Sequence, residues 1–152
     1  MVHGVNWERV LFIAVDGEVA GYLQFYLDGN GPHRVSFSDI RLAFGRWSAA
    51  WRYPLYWLVQ QRYRRYQAYL YRIIIHEDFR GQRLGEQLLQ DWLKLVKDQG
   101  INQAELEVWG NNTQAIRFYE SLGFQVNRTR YFPVRFNSLR DTQLLRMVYK
   151  FN

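Results

Sequence analysis

Residues 68–100 constrain the fold more than any other segment, because within them the hydrophobic pattern changes period across a glycine-containing turn. Leu70, Ile73, Ile74 and Ile75 form a short apolar run with the β-branched enrichment of a largely buried strand. Past the turn, Leu84, Leu88, Trp92, Leu95 and Val96 recur at the spacing of one helix face, and Gly100 stands where a helix stop is expected. A strand leading straight into an amphipathic helix needs a sheet on which that helix can bury its apolar stripe.

The flanking sequence supplies such a sheet. Two apolar runs, residues 10–15 and 19–27, enclose the tight-turn pair Asp16-Gly17 and predict an antiparallel hairpin; Asp28-Gly29-Asn30-Gly31-Pro32 then marks a loop. Ile40, Phe44, Trp47, Trp51, Leu55 and Leu58 recur every three or four residues, predicting one bent helix or two short ones with a kink at Pro54. Residues 104–109 read as a strand. Asn111 or Asn112 then caps a helix with Ala115, Ile116, Tyr119 and Leu122 inward, and Gly123 ends it. Residues 124–128 and 143–151 close the chain as strands. The order predicts an α/β (α+β) fold with a mixed central sheet and helices on its faces, and 152 residues, nearly half apolar, suit one domain over residues 1–152.

Composition narrows the chemistry. With no cysteine, thiolate metal sites and cysteine nucleophiles are excluded, and His3, His33 and His76 show no ligand spacing, so no metal is expected. No apolar run is long enough to span a bilayer and no cleavable leader is evident, so a cytoplasmic protein with no membrane partner is expected. A net charge of +6 favours an anionic partner, either a phosphorylated cofactor or nucleic acid.

The turn Phe79-Arg80-Gly81-Gln82-Arg83-Leu84-Gly85 sits at a helix start, where unpaired backbone N–H groups and the positive dipole end attract anions. Its glycines allow close approach, and Arg80 and Arg83 add charge, which together describe a pyrophosphate cradle. It matches neither a P-loop nor a dinucleotide fingerprint. It resembles the central motif of the GNAT superfamily of acetyltransferases, Arg/Gln-x-x-Gly-x-Gly/Ala, with Arg80 and Gly85 at its ends. Arg83 takes the place of the middle glycine, which is tolerable where φ stays negative. A second block, Leu106-Glu107-Val108-Trp109 through Gly123-Phe124, resembles that family's Asn, Ala, Tyr-Glu-x-Leu-Gly-Phe motif, with Asn112, Ala115, Tyr119, Leu122, Gly123 and Phe124 in step.

The resemblance implies a mostly antiparallel GNAT-like sheet whose splayed strand pair, residues 70–75 and 104–109, holds acetyl-CoA. It implies cofactor contacts from Ile73, Ile74, Ile75, Arg80, Gly81, Gln82, Arg83, Leu84, Gly85, Glu86, Asn112 and Tyr119, with an N–H near Ile74 polarising the thioester carbonyl. Tyr119 would hydrogen-bond the departing thiolate. Strand alternation puts Glu105, Glu107 and Trp109 on one face; Leu-Glu-Val resembles the protein N-terminal acetyltransferase subgroup and makes Glu107 the base, although pairing with one of the many arginines is an equal reading.

The acceptor is then an amine on a small molecule or a peptide. Between Arg34 and Arg72 lie eight arginines and one acid, Asp39, with Trp47, Trp51, Tyr53, Tyr56, Trp57, Tyr63, Tyr66 and Tyr69 interleaved. The expectation is that these aromatics pack on the sheet while the arginines reach water, with a homodimer contact if they stay exposed. The alternative is a non-catalytic module holding nucleic acid or protein through this segment, nucleic acid being the less expected partner.

Overall fold

The computed structural model describes residues 5–33, 37–63, 65–131 and 143–151, with the backbone alone at 37, 39, 44, 59 and 60. Arg34, Arg64 and the side chains of Asp39 and Phe44, all part of the sequence argument, lie outside the described residues.

Asp16 and Gly17 both take positive φ (52° and 85°), the two-residue turn that matches strand twist, and join β1 (Val10–Val15) to β2 (Glu18–Leu27). After α1 (Phe37–Tyr63) come β3 (Ala68–Ile75), α2 (Leu84–Asp98), β4 (Gln103–Trp109), α3 (Thr113–Ser121), β5 (Gln125–Tyr131) and β6 (Gln143–Lys150). The six strands form one sheet in the order β1-β2-β3-β4-β6-β5. Every neighbouring pair is antiparallel except β3 with β4, which α2 connects as a crossover.

The amphipathic stripe of α2 explains the core. Leu88, Leu89, Trp92, Leu93 and Val96 are buried against Leu23, Phe25, Leu70, Ala104, Leu106 and Met147 of the sheet, each burial contributing about 1.5–3 kcal/mol before the entropy of ordering is subtracted. Gly100, with φ 72°, ends the helix as its sequence position indicates. On the opposite face Tyr26, Tyr66 and Tyr69 form a second buried cluster with Tyr63 and Tyr71, and Tyr26 stacks on Tyr63 from the end of α1 at 4.6 Å.

Helix α1 departs from expectation twice. The backbone leaves helical geometry at Gly45 (φ 80°, ψ 167°) rather than at Pro54, because glycine alone enters that region without a Cβ clash. The aromatic segment also packs on the sheet only in part: Tyr63, Tyr66 and Tyr69 join the tyrosine cluster, whereas Trp47 is 92% exposed and Trp51, Leu55, Trp57 and Leu58 are also exposed. The inward side instead carries fully buried Ala49, about 200° round the helix from Trp47 at 100° per residue, and further on Tyr63.

Two irregularities in β3 create the central opening. Its pairing with β4 is confined to Tyr69↔Glu105 and Leu70↔Leu106, after which the strands part. At the same level the ladder with β2 slips between Gln24↔Arg72 and Phe25↔Leu70, leaving Tyr71 as the extra residue of a β-bulge. Tyr69 and Tyr71 therefore join the tyrosine cluster, whereas Ile73 and Ile75 switch to the face that carries α2.

Candidate active site

The turn after β3 is held by its own backbone. Phe79 and Arg80 donate N–H bonds to the carbonyls of His76 and Glu77 (3.0 and 3.2 Å), and Gly81 follows at φ 80°. Arg80 folds back so that its Nε donates to the Ile75 carbonyl at 3.4 Å, which sets the guanidinium over the opening. Arg83 adopts φ 58° and ψ 15°, so the negative φ expected of it does not hold. The turn needs a left-handed residue just before the helix, and here an arginine rather than glycine carries that strain, about 1–2 kcal/mol. The first intrahelical N–H bond found at this end runs from Gln87 to the Arg83 carbonyl at 3.1 Å, so the amides of the first turn, Leu84 to Glu86, remain available to an anion.

Two adjoining cavities fill the gap. One, about 440 Å³, is lined by Ile73, Ile75, Arg80, Gly81, Arg83, Leu84, Gly85 and Glu86 together with Phe79, Gln114 and Phe118 of the turn and α3. The second, about 570 Å³, shares Ile73, Ile75, Arg80, Gln114 and Phe118 and adds Ile74, Asn112, Ala115 and Tyr119. The structure thus brings together every expected cofactor contact except Gln82, which is exposed and lines neither cavity. A Cβ on Gly85 would stand 3.6 Å from Ile75 and 3.7 Å from Phe118, so the missing side chain keeps the floor of the cavity open.

Ladder geometry decides which amides of β3 face the gap. His76 donates to the Ala20 carbonyl of β2 at 2.8 Å, and Tyr22↔Ile74 lies two residues along the same register. Ile74 therefore turns its backbone toward β2, and the amides that look into the gap are those of Ile73 and Ile75. The donor expected near Ile74 is therefore an amide of one of its two neighbours.

Asn112 caps α3, its Oδ1 accepting from the Ala115 N–H at 3.1 Å, and the same residue borders the second cavity. Tyr119 packs on Phe118 and Phe124 (ring centres 5.3 and 5.8 Å), and burial pushes its phenol up to about 12. Its hydroxyl makes no hydrogen bond with the described residues.

Glu107 lines neither cavity. It lies on the other face of β4, its side chain 8% exposed, in an ion pair with Arg62 at the end of α1, and the Tyr66 hydroxyl donates to it at 3.5 Å. Burial works to lower the pKa of Arg62, and the hydrogen bond and charge of Glu107 outweigh it and raise it. Glu105 is equally enclosed: Arg146 of β6 pairs with it and Gln103 donates to it at 2.9 Å. Arg146 in turn lies over the Tyr66 ring at 5.0 Å. Burial, and then the charge of Glu107, raises the phenol of Tyr66. Glu107 nevertheless sits one residue past the last β3–β4 pair, at the fork of the gap.

Arg62, Tyr66 and Arg146 were missed by sequence reading because no local pattern links residues so distant along the chain. Gln114 and Phe118 carried a readable signal, since they lie four apart on the helix face that also holds Ala115 and Tyr119.

A family model described as the acetyltransferase (GNAT) family matches residues 3–124. The chain belongs to the GNAT family. This GNAT enzyme is an acyl-CoA-dependent N-acetyltransferase. Among curated relatives it is similar to the ribosomal protein bS18-alanine N-acetyltransferase of Escherichia coli, 36% identical over 133 residues, covering 86% of this chain and 74% of the relative. A shorter similarity, 35% over 60 residues, links 40% of the chain to 17% of a mycothiol acetyltransferase from Corynebacterium jeikeium. Among solved structures, the E. coli ribosomal-protein-S18-alanine N-acetyltransferase aligns with a TM-score of 0.58 at 21% identity, covering 94% of this GNAT chain and 70% of that one. An Elizabethkingia anophelis GNAT acetyltransferase with acetyl-CoA bound aligns with a TM-score of 0.60 at 15% identity, covering 93% and 75%. These two structures bear out the expected mostly antiparallel GNAT sheet.

Proposed function

We propose that this enzyme acetylates the α-amine of a protein N-terminus, with alanine as the first terminal residue to test, and that it works in the cytoplasm. The observation that carries the reading is the open gap where β3 and β4 part, which joins the arginine-bearing turn to Tyr119 within adjoining cavities. An occluded gap would have favoured a binding module. The terminal-amine acceptor rests on the 36% identity to a ribosomal-protein alanine acetyltransferase and on Glu107 within Leu-Glu-Val at the fork. No helix of the described residues is long and apolar enough to cross a membrane.

The residues present fit acetyl-CoA. First-turn amides of α2 with Arg80 and Arg83 hold its diphosphate, and the gap-facing backbone of Ile73 and Ile75 pairs with its pantetheine arm. Acetyl-CoA supplies an activated thioester. A gap-facing amide of β3 stabilises the negative charge that develops on the carbonyl oxygen as the amine attacks. An α-amine titrates near about 7.7–8.0, so a sizeable fraction is already neutral at pH 7 and the base has a modest task. Glu107 takes the amine proton after Arg62 yields its place to the acceptor. Tyr119 donates its hydrogen bond to the departing sulfur; with the phenol at about 12 it stabilises the thiolate rather than protonating it fully.

The test is thiol release from acetyl-CoA across peptides with free alanine, serine or glycine termini, peptides with blocked termini and a free lysine, polyamines and amino sugars. Release confined to free-terminus peptides, and abolished in Gly85→Glu, is the expected outcome. Release with lysine side chains or small amines but not with free termini would overturn the acceptor assignment.

A further inference from the structure

The chain uses arginine for almost every positive charge, and its three lysines are Lys94, Lys97 and Lys150. All three line one cavity of about 370 Å³ between the C-terminal half of α2 and the end of β6, together with Leu93, Tyr149 and Phe151. Lys94 and Lys97 share a helix face at a spacing of three, and Lys150 approaches from the sheet. Among the described residues none of the three makes an ion pair or a hydrogen bond, and Asp91 and Asp98 on the same helix do not pair with them. Lys97, in the last turn, also meets the negative end of the helix dipole, which accounts for one cation there and not for three. Like charges gathered without a carboxylate repel one another, and an anion in the concavity removes that repulsion.

We infer that this cavity is a second ligand site for a small phosphorylated molecule carrying a flat ring, of the nucleotide class. The three ammonium groups meet the phosphates. Tyr149 and Phe151, partly buried and packed edge to face at 5.1 Å, with Leu93 beside them, offer the apolar wall for a ring. The volume is that of a small-ligand pocket rather than a track for a polymer. The site is distinct from the acetyl-CoA gap: the two cavities share no lining residue, and the α2 residues that line them are centred about 13 Å apart along the helix at 1.5 Å per residue. The assignment is independent of the acceptor proposed above.

The experiment is calorimetry on the full chain loaded with one equivalent of coenzyme A, enough to fill the gap without excess nucleotide for the second site, titrated with ATP and separately with inorganic tripolyphosphate. One further ATP site per chain is expected, with ATP binding more tightly than tripolyphosphate. Lys97→Gln and Lys150→Gln should each weaken it about tenfold, as the loss of one charge-assisted contact does, while Lys97→Arg stays close to the parent. Coenzyme A affinity, measured alongside, should stay unchanged and show that each variant is folded. No ATP heat on the loaded protein, binding indifferent to both glutamine variants, or tripolyphosphate binding as tightly as ATP would overturn the assignment.

Discussion

Removal of the Tyr119 hydroxyl tests the proposed chemistry most directly. In Tyr119→Phe the ring keeps its packing against Phe118 and Phe124, and the lost hydroxyl bonds to none of the described residues, so the folded state should be as stable as the parent. What disappears is one hydrogen bond to a sulfur gaining negative charge. A hydrogen bond to a charged group contributes about 1.5–3 kcal/mol, which corresponds to about a 10- to 150-fold fall in kcat. Because that bond forms only as the thiolate departs, kcat and kcat/KM should fall together while coenzyme A affinity stays within about twofold. The pH profile adds a second reading. Burial raises the phenol to about 12 from an unfolded value near 10, so Tyr119 remains a donor throughout pH 7–10 and places no alkaline limb on turnover there. A raised folded pKa means that the associated stability is complete below about pH 10 and is lost as pH climbs toward about 12. Steady-state kinetics of both proteins from pH 6 to 10, with coenzyme A binding by calorimetry, measure these quantities. Turnover within twofold of the parent, or an alkaline limb near pH 10 that vanishes in the variant, would refute the role.

Glu107→Gln should lower kcat by about 10²- to 10⁴-fold at pH 7 if the carboxylate accepts the amine proton; unchanged kcat would leave Glu107 as the partner of Arg62 alone. Asn112→Ala removes the cap of α3 and should cost about 1 kcal/mol, read from the denaturation midpoint in urea. Arg83→Gly should relieve the left-handed strain and raise stability by about 1 kcal/mol, yet weaken coenzyme A by withdrawing a cation from the cavity; melting and calorimetry should move in opposite directions.

The sequence by itself determined what depends on neighbours along the chain. Strand β3 (Ala68–Ile75), the stripe of α2, the Asp16-Gly17 turn and the cap at Asn112 are local matters of period, turn chemistry and capping, and each appears where the residues indicate. The phosphate-binding turn was legible for the same reason, since a strand end, glycines, arginines and a helix start occupy consecutive positions. Tertiary structure decided what depends on distant partners. The bulge at Tyr71, which turns Ile73 and Ile75 toward α2, arises from register with β2. The face α1 turns inward, with Ala49 and Tyr63 on it, runs against the pattern of its tryptophans. Arg62 and Arg146 reach Glu107 and Glu105 across about forty residues of chain, a pairing that no spacing rule records; enclosing those carboxylates without such cations would be prohibitive. Local preference writes the elements, whereas burial of charge and apolar surface, satisfied only when remote segments meet, selects how they face one another.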